Sequence, residues 1–125
     1  MNLKRLFGGK VNPDLESQVA ICRKYNVKPS PVSPFLKVGI ARNVKEGLLP
    51  LNGFRGRPTA NTTGWYFWAG ELSEADDFFV PLHVEHLKSW SPQVIPYLLL
   101  PRGWRLQIAP GYEDVWFDET LLIDD

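Results

Sequence analysis

Cysteine is almost missing from this sequence: Cys22 is the only one in 125 residues. No internal disulfide can form, and a multi-cysteine zinc site is excluded. A lone thiol fits a reducing compartment, so the expected location is cytoplasmic. Histidine is nearly as scarce, with His83 and His86 the only two. No stretch approaches the ~18 consecutive apolar residues that cross a bilayer, and no membrane association is expected. The opening MNLKRLFGGKVNPD has a basic flank but only Leu6 and Phe7 ahead of two glycines. It therefore lacks the apolar centre of a secretory signal. There is no GxSxG nucleophile turn, and GFRGRP (53–58) lacks the Lys-Ser/Thr pair of a phosphate-binding loop.

Acidic residues are rare in one half of the chain and basic residues in the other. Residues 1–60 hold 11 Lys/Arg against 3 Asp/Glu, a net of +8, and residues 61–125 hold 3 against 11, a net of −8. The total is zero. Two accounts fit. The halves fold against each other and interleave their charges, or an acidic face attracts a basic partner.

The length suits one domain with its own core. Residues 1–11, with Lys4, Arg5 and Lys10, read as a basic arm ahead of a domain over 12–125. Asn12 is a candidate cap with Pro13 at the first helical position and Asp14 and Glu16 in the first turn, which predicts a helix over 13–25. Leu15, Val19 and Cys22 line its apolar side, so Cys22 reads as a small buried hydrophobe. VKPSPVSP is an extended connector, because three prolines forbid a helix. FLKVGIAR (35–42) reads as a strand with Leu36, Val38, Ile40 and Arg42 on its core face. Residues 46–64 read as a long loop carrying Arg55 and Arg57, with an edge strand near Leu48–Leu51 where Pro50 is tolerated.

GWYFWAGE (64–71) then sets four aromatic residues in a row. Trp65 and Phe67 share one face and Tyr66 and Trp68 the other, which predicts a central strand covered on both sides. A short helix is expected over 74–79, ended by Pro81, and a helical turn over 83–88. SPQVIPY has Pro96 inside its pattern, giving a kinked helix or two turns. Residues 103–110 and 113–119 read as a hairpin turned by Pro110 and Gly111. This order, without βαβ alternation, predicts an α+β domain: a mostly antiparallel sheet of about four to five strands, an N-terminal helix and short helices.

Glu71, Glu74, Asp76 and Asp77 follow the aromatic strand, and Glu113, Asp114, Asp118 and Glu119 surround Trp116. Placed side by side, these stretches would form a negative patch with Trp68 and Trp116 as aromatic anchors. Aromatic anchors within a charged rim are a common way to build a tight protein contact. The candidate partner-binding residues are therefore Trp68, Glu71, Glu74, Asp76, Asp77, Glu113, Asp114, Trp116 and Asp118. Two other classes are open. His83, Glu85 and His86 lie within one helical turn and form the candidate ligand set of a small metal enzyme, although the spacing departs from the i, i+4 histidines of zinc hydrolases. The basic N-terminal half, with Arg55 and Arg57, is the candidate for nucleic-acid binding, which the acidic second half opposes.

GWYFWAGE, DFFVPLHVEHL and YLLLPRGWRLQIAPGYEDVWFDETLL together resemble the bacterial immunity-protein family numbered thirty-three among polymorphic-toxin systems. The resemblance covers about residues 35–122. It implies a non-enzymatic cytoplasmic protein without cofactor or metal, whose partner is a cognate toxin domain. It transfers no catalytic residues and no binding residues.

Overall fold

The first helix forms where capping and dipole chemistry place it. The computed structural model describes residues 13–124, and helix α1 spans Pro13–Lys24 with Asp14 and Glu16 in its first turn and Arg23 and Lys24 in its last. The expected arm and the Asn12 cap lie outside the described residues. Val19 and Cys22 are buried, as the apolar stripe requires. Asn26 ends the helix at φ 57°, with Val27 N–H donating to the Cys22 carbonyl (2.9 Å) and Asn26 N–H to that of Arg23 (3.1 Å). This is a left-handed cap in which asparagine stands where glycine is commonest.

Six strands follow: β1 (Lys37–Ala41), β2 (Leu51–Arg55), β3 (Thr62–Ala69), β4 (Phe79–His83), β5 (Trp104–Ala109) and β6 (Tyr112–Phe117). They form one sheet in the order β4-β1-β3-β2-β5-β6. Every neighbouring pair is antiparallel except β1 and β3, which are parallel. The α+β class therefore holds, but the sheet is mixed and has six strands where four or five were expected. Short helical segments cover Arg42–Lys45, Val84–His86, Pro92–Tyr97 and Glu119–Leu122, and a single α-turn, α2, covers Leu87–Trp90.

Three expectations need correction. The long loop over 46–64 contains β2, which begins at Leu51 and lies inside the sheet between β3 and β5 rather than at an edge. LNGFR hides a strand because its central residues are poor strand formers for ordinary reasons. Asn52 is held by side-chain bonds to the Gly70 carbonyl (3.0 Å) and to Gln107 (3.0 Å). Gly53 is needed for space, since a Cβ there would lie 2.7 Å from the Phe67 ring. The helix expected over 74–79 is instead a turn leading into β4. Ser73 does accept from the Ala75 N–H (3.1 Å), but the bond starts a turn rather than a helix. Pro81 lies within β4, an outermost strand, where a missing N–H is tolerated.

The core lies on one face of the sheet. Val38, Ile40, Trp65, Phe67, Leu106, Ile108 and Val115 pack there against Cys22, Leu87, Val94, Tyr97 and Leu98–Leu100. Trp65 and Phe67 stack with their rings 5.1 Å apart, and the Trp65 indole N–H donates to the Leu98 carbonyl (2.9 Å). Burying two such rings contributes on the order of 5 kcal/mol of transfer free energy, enough to fix β3 as the central strand.

Candidate functional site

The second face of the sheet is where the strand order creates something new. Pairing sets Pro81 opposite Gly39, Gly39 opposite Tyr66, Tyr66 opposite Phe54, Phe54 opposite Arg105, and Arg105 opposite Trp116. This row crosses all six strands. Phe54 and Tyr66 stack at 5.2 Å, and Phe79 of β4 meets the Tyr66 ring edge-on at 5.1 Å. The Arg105 guanidinium lies 5.6 Å from the Phe54 ring and 5.8 Å from that of Trp116. Gly39 is the gap that lets Tyr66 lie flat, because a Cβ there would be 2.5 Å from the ring. The helices' buried residues belong to the other face. On this one Tyr66 is 39% and Trp116 38% exposed. A contiguous aromatic surface left in water marks a contact site more often than isolated exposed rings do.

Electrostatics bind one end of the row. Arg105 Nη1 pairs with Asp118 at 3.1 Å. Hydrogen bonds from Thr120, then from Arg105, hold the Asp118 carboxyl below its ordinary range. The Arg105 Nε is buried and has no hydrogen-bond partner among the described residues. Held beside two rings, its charge is stabilised by their π faces rather than by a second carboxylate.

The acidic stretches leave the sheet at different places: the first runs from β3, three strands from β6, across to β4 at the far edge. Glu71, Glu74, Asp76 and Asp77 lie on the exposed loop from β3 to β4, while Glu113, Asp114 and Asp118 belong to β6 and its end. β4 and β6 are opposite edges of the sheet, five strand spacings or ~24 Å apart. The side chains of the loop acids, of Asp114 and of Glu119 make no hydrogen bond or ion pair among the described residues. Glu113 is not a surface carboxylate at all. It points to the helical side, where its side chain accepts from Lys24 Nζ (2.6 Å), Tyr25 Oη (2.5 Å) and Tyr97 Oη (2.5 Å). Trp68 is 5% exposed, wedged edge-on between Phe54 and Phe79, so it supports the row instead of contacting a partner. The aromatic strand is thus covered fully on one side and only in part on the other.

Tyr66, Phe54 and Arg105 complete the site and were not singled out by sequence reasoning. Their sole local signal is alternation within their strands; their adjacency depends on strand order.

The other two constellations are not assembled among the described residues as the sequence suggested, and the basic arm lies outside them. The rings of His83 and His86 are 6.3 Å apart, and Glu85 lies 3.6 Å from His86 Nε2. Among the described residues no three His, Cys, Asp or Glu side chains are placed to share a metal ion. Arg55 is not a loop arginine but is buried in β2, donating to the carbonyls of Thr63 (3.0 Å), Ser30 (3.0 Å), Leu98 (3.4 Å) and Leu100 (2.9 Å). Burial lowers its pKa to about 10. It is a structural clamp, removed from any phosphate. No helix of the described residues is long and apolar enough to cross a membrane.

No curated protein and no solved structure matches the chain. A family model described as Imm33-like domain matches residues 17–118, a span that takes in all of α1 but its first turn, the whole sheet and every member of the cross-sheet row. With most of its length so matched, the chain belongs to the Imm33-like family.

Proposed function

We propose that the protein is an immunity protein that binds a cognate bacterial toxin domain and neutralises it by stoichiometric contact, through the open face of the sheet. Family membership supports the class and a protein partner, and the reading is of binding without catalysis. The observation that carries the location is the row Phe79–Tyr66–Phe54–Arg105–Trp116, in which half-buried Phe79, Phe54 and Arg105 support exposed Tyr66 and Trp116 on a face that the helices leave free. Tyrosine, tryptophan and arginine are the residues most often dominant in protein contacts. Unpaired acids stand at two corners of that face, where they would steer a basic surface. The reading places this action in the cytoplasm, where a lone buried thiol stays reduced.

The test uses an inactivated toxin domain from the reading frame next to this gene, titrated against the wild-type chain and the double variant Tyr66→Ala/Trp116→Ala. Each truncation of a central anchor costs about 2 kcal/mol or more, so the double variant should bind at least ~100-fold more weakly. Circular dichroism and melting establish that it is folded. A folded double variant with wild-type affinity removes the open face from the interface.

A further inference from the structure

The sheet has two outer edges, and they differ. On β4 the Val84 N–H donates to the Leu36 carbonyl on the β1 side (2.9 Å). Antiparallel alternation then turns Val80 and Leu82 toward β1, and Phe79, Pro81 and His83 outward. The middle outward position is proline, which offers no N–H, so an incoming strand cannot complete its ladder there. On β6 the Asp118 N–H donates to the Gly103 carbonyl of the β5 side (2.7 Å). The same alternation turns Tyr112, Asp114 and Trp116 inward, and the backbone N–H and C=O of Glu113, Val115 and Phe117 outward. None of these is proline, and among the described residues none of the three makes a backbone bond beyond β5. The β6 edge is an open template.

Charge decides what fits it. Asp114 and Glu119 are exposed, their side chains make no hydrogen bond or ion pair among the described residues, and Asp118 is shared with Arg105. Two copies of β6 side by side would bring these acids against their own counterparts, so self-pairing is opposed. A strand rich in lysine or arginine would be drawn in. It would also extend the cross-sheet row by one place, laying its side chains beside Trp116.

We propose that β6 is a β-augmentation edge that accepts one extended basic strand of the toxin-type partner, hydrogen-bonded to the backbone of Glu113, Val115 and Phe117. This inference rests on the immunity reading and specifies how its contact is made. Main-chain pairing would supply affinity and the acids would select a basic sequence.

Two measurements test it on the full chain with the same inactivated neighbouring-frame toxin domain. The first is amide hydrogen exchange of the free and bound protein. The amides of Glu113, Val115 and Phe117 should slow at least ~10-fold on binding, as new ladder bonds demand. The second is Val115→Pro, which copies Pro81 by removing one outward N–H, read against Val115→Ala, which loses the same core side chain but keeps that N–H. A folded Val115→Pro chain should bind at least ~10-fold more weakly than Val115→Ala, the effect of losing about 1.4 kcal/mol. Should that substitution unfold the chain, the exchange result alone decides. A complex that forms without slowing these three amides overturns the edge while leaving the immunity reading standing, as does an affinity in folded Val115→Pro equal to that of Val115→Ala. Slowing of the same amides on concentration of the chain alone would assign the edge to a second copy and overturn the basic-strand proposal. Failure of any complex to form overturns the immunity reading and this inference with it.

Discussion

Glu113 is the residue whose sequence context misled most. It sits beside Asp114 in an acidic hairpin, which reads as solvated surface, yet its side chain is only 22% exposed. Burial alone would raise its pKa. Hydrogen bonds from Lys24, Tyr25 and Tyr97 outweigh that and hold it below its ordinary value of 4.5. The same cluster pushes the Tyr25 hydroxyl up to about 12, through burial first and then the bond to Glu113. The folded pKa lies below the unfolded one, so the unfolded chain takes up the proton first. The stabilisation is therefore complete above pH ~4.5 and is lost as pH falls through the lower folded value. We expect Glu113→Gln to cost about 1–3 kcal/mol at pH 7, since it leaves Lys24 and two buried hydroxyls poorly matched. We also expect its stability to fall less steeply than the wild type's between pH 5 and pH ~3. Urea unfolding at three pH values measures both, and parallel acid limbs would remove Glu113 from the pH response. Arg55 teaches a related lesson. Between two glycines and a proline it reads as a loop residue, because the four carbonyls that bury it come from three distant segments.

Elements were legible where the local chemistry is self-sufficient. α1 announces itself through Pro13, its first-turn acids and its apolar stripe, and the β5–β6 turn through Pro110 and Gly111, the latter at φ 73°. β3 announces itself through sheer aromatic content. β2 and β4 were hidden because what makes them strands lies in their neighbours. β2 is pinned between β3 and β5, and its Gly53 exists to admit Phe67 and Leu106. We expect Gly53→Ala to destabilise by about 1–3 kcal/mol, since the new methyl meets the Phe67 ring at 2.7 Å and Leu106 Cγ at 3.3 Å. Phe67→Leu creates space at the same spot and destabilises for the opposite reason. The two together should cost less than the sum of the singles, a coupling visible in a double-mutant cycle of denaturant midpoints. Strict additivity would mean that the backbone of β2 shifts away and that the glycine is not a packing device.

At the scale of the whole molecule, the opposed charges of the two halves partly interleave and partly do not. Lys24 meets Glu113, Lys88 meets Asp14, and Arg57 comes within 3.7 Å of Asp124. The unpaired acids among the described residues are divided, because strand order sends the stretch after β3 toward β4 and leaves the other on β6, at opposite edges of the sheet. That division was invisible in the sequence, which leaves both interleaving and convergence open because neither depends on local pattern. It has a measurable consequence. At physiological ionic strength the screening length is ~8 Å, well short of the ~24 Å between edges, so the corners act on a partner independently. Reversing Asp76 and Asp77 to lysine, and separately Asp114 and Glu119, should give losses of affinity that multiply in the quadruple variant at ~150 mM salt. The β6 pair should produce the larger loss, about tenfold, because it flanks Trp116 and the open edge. Near 10 mM salt the screening length grows to ~30 Å, both corners reach a single partner, and the association rate should fall most for the quadruple variant. If the loop pair alone carried the loss, the contact would sit over the β3–β4 connection. The aromatic row would then be a device for holding six strands in register, and its exposure at Tyr66 and Trp116 would carry no partner.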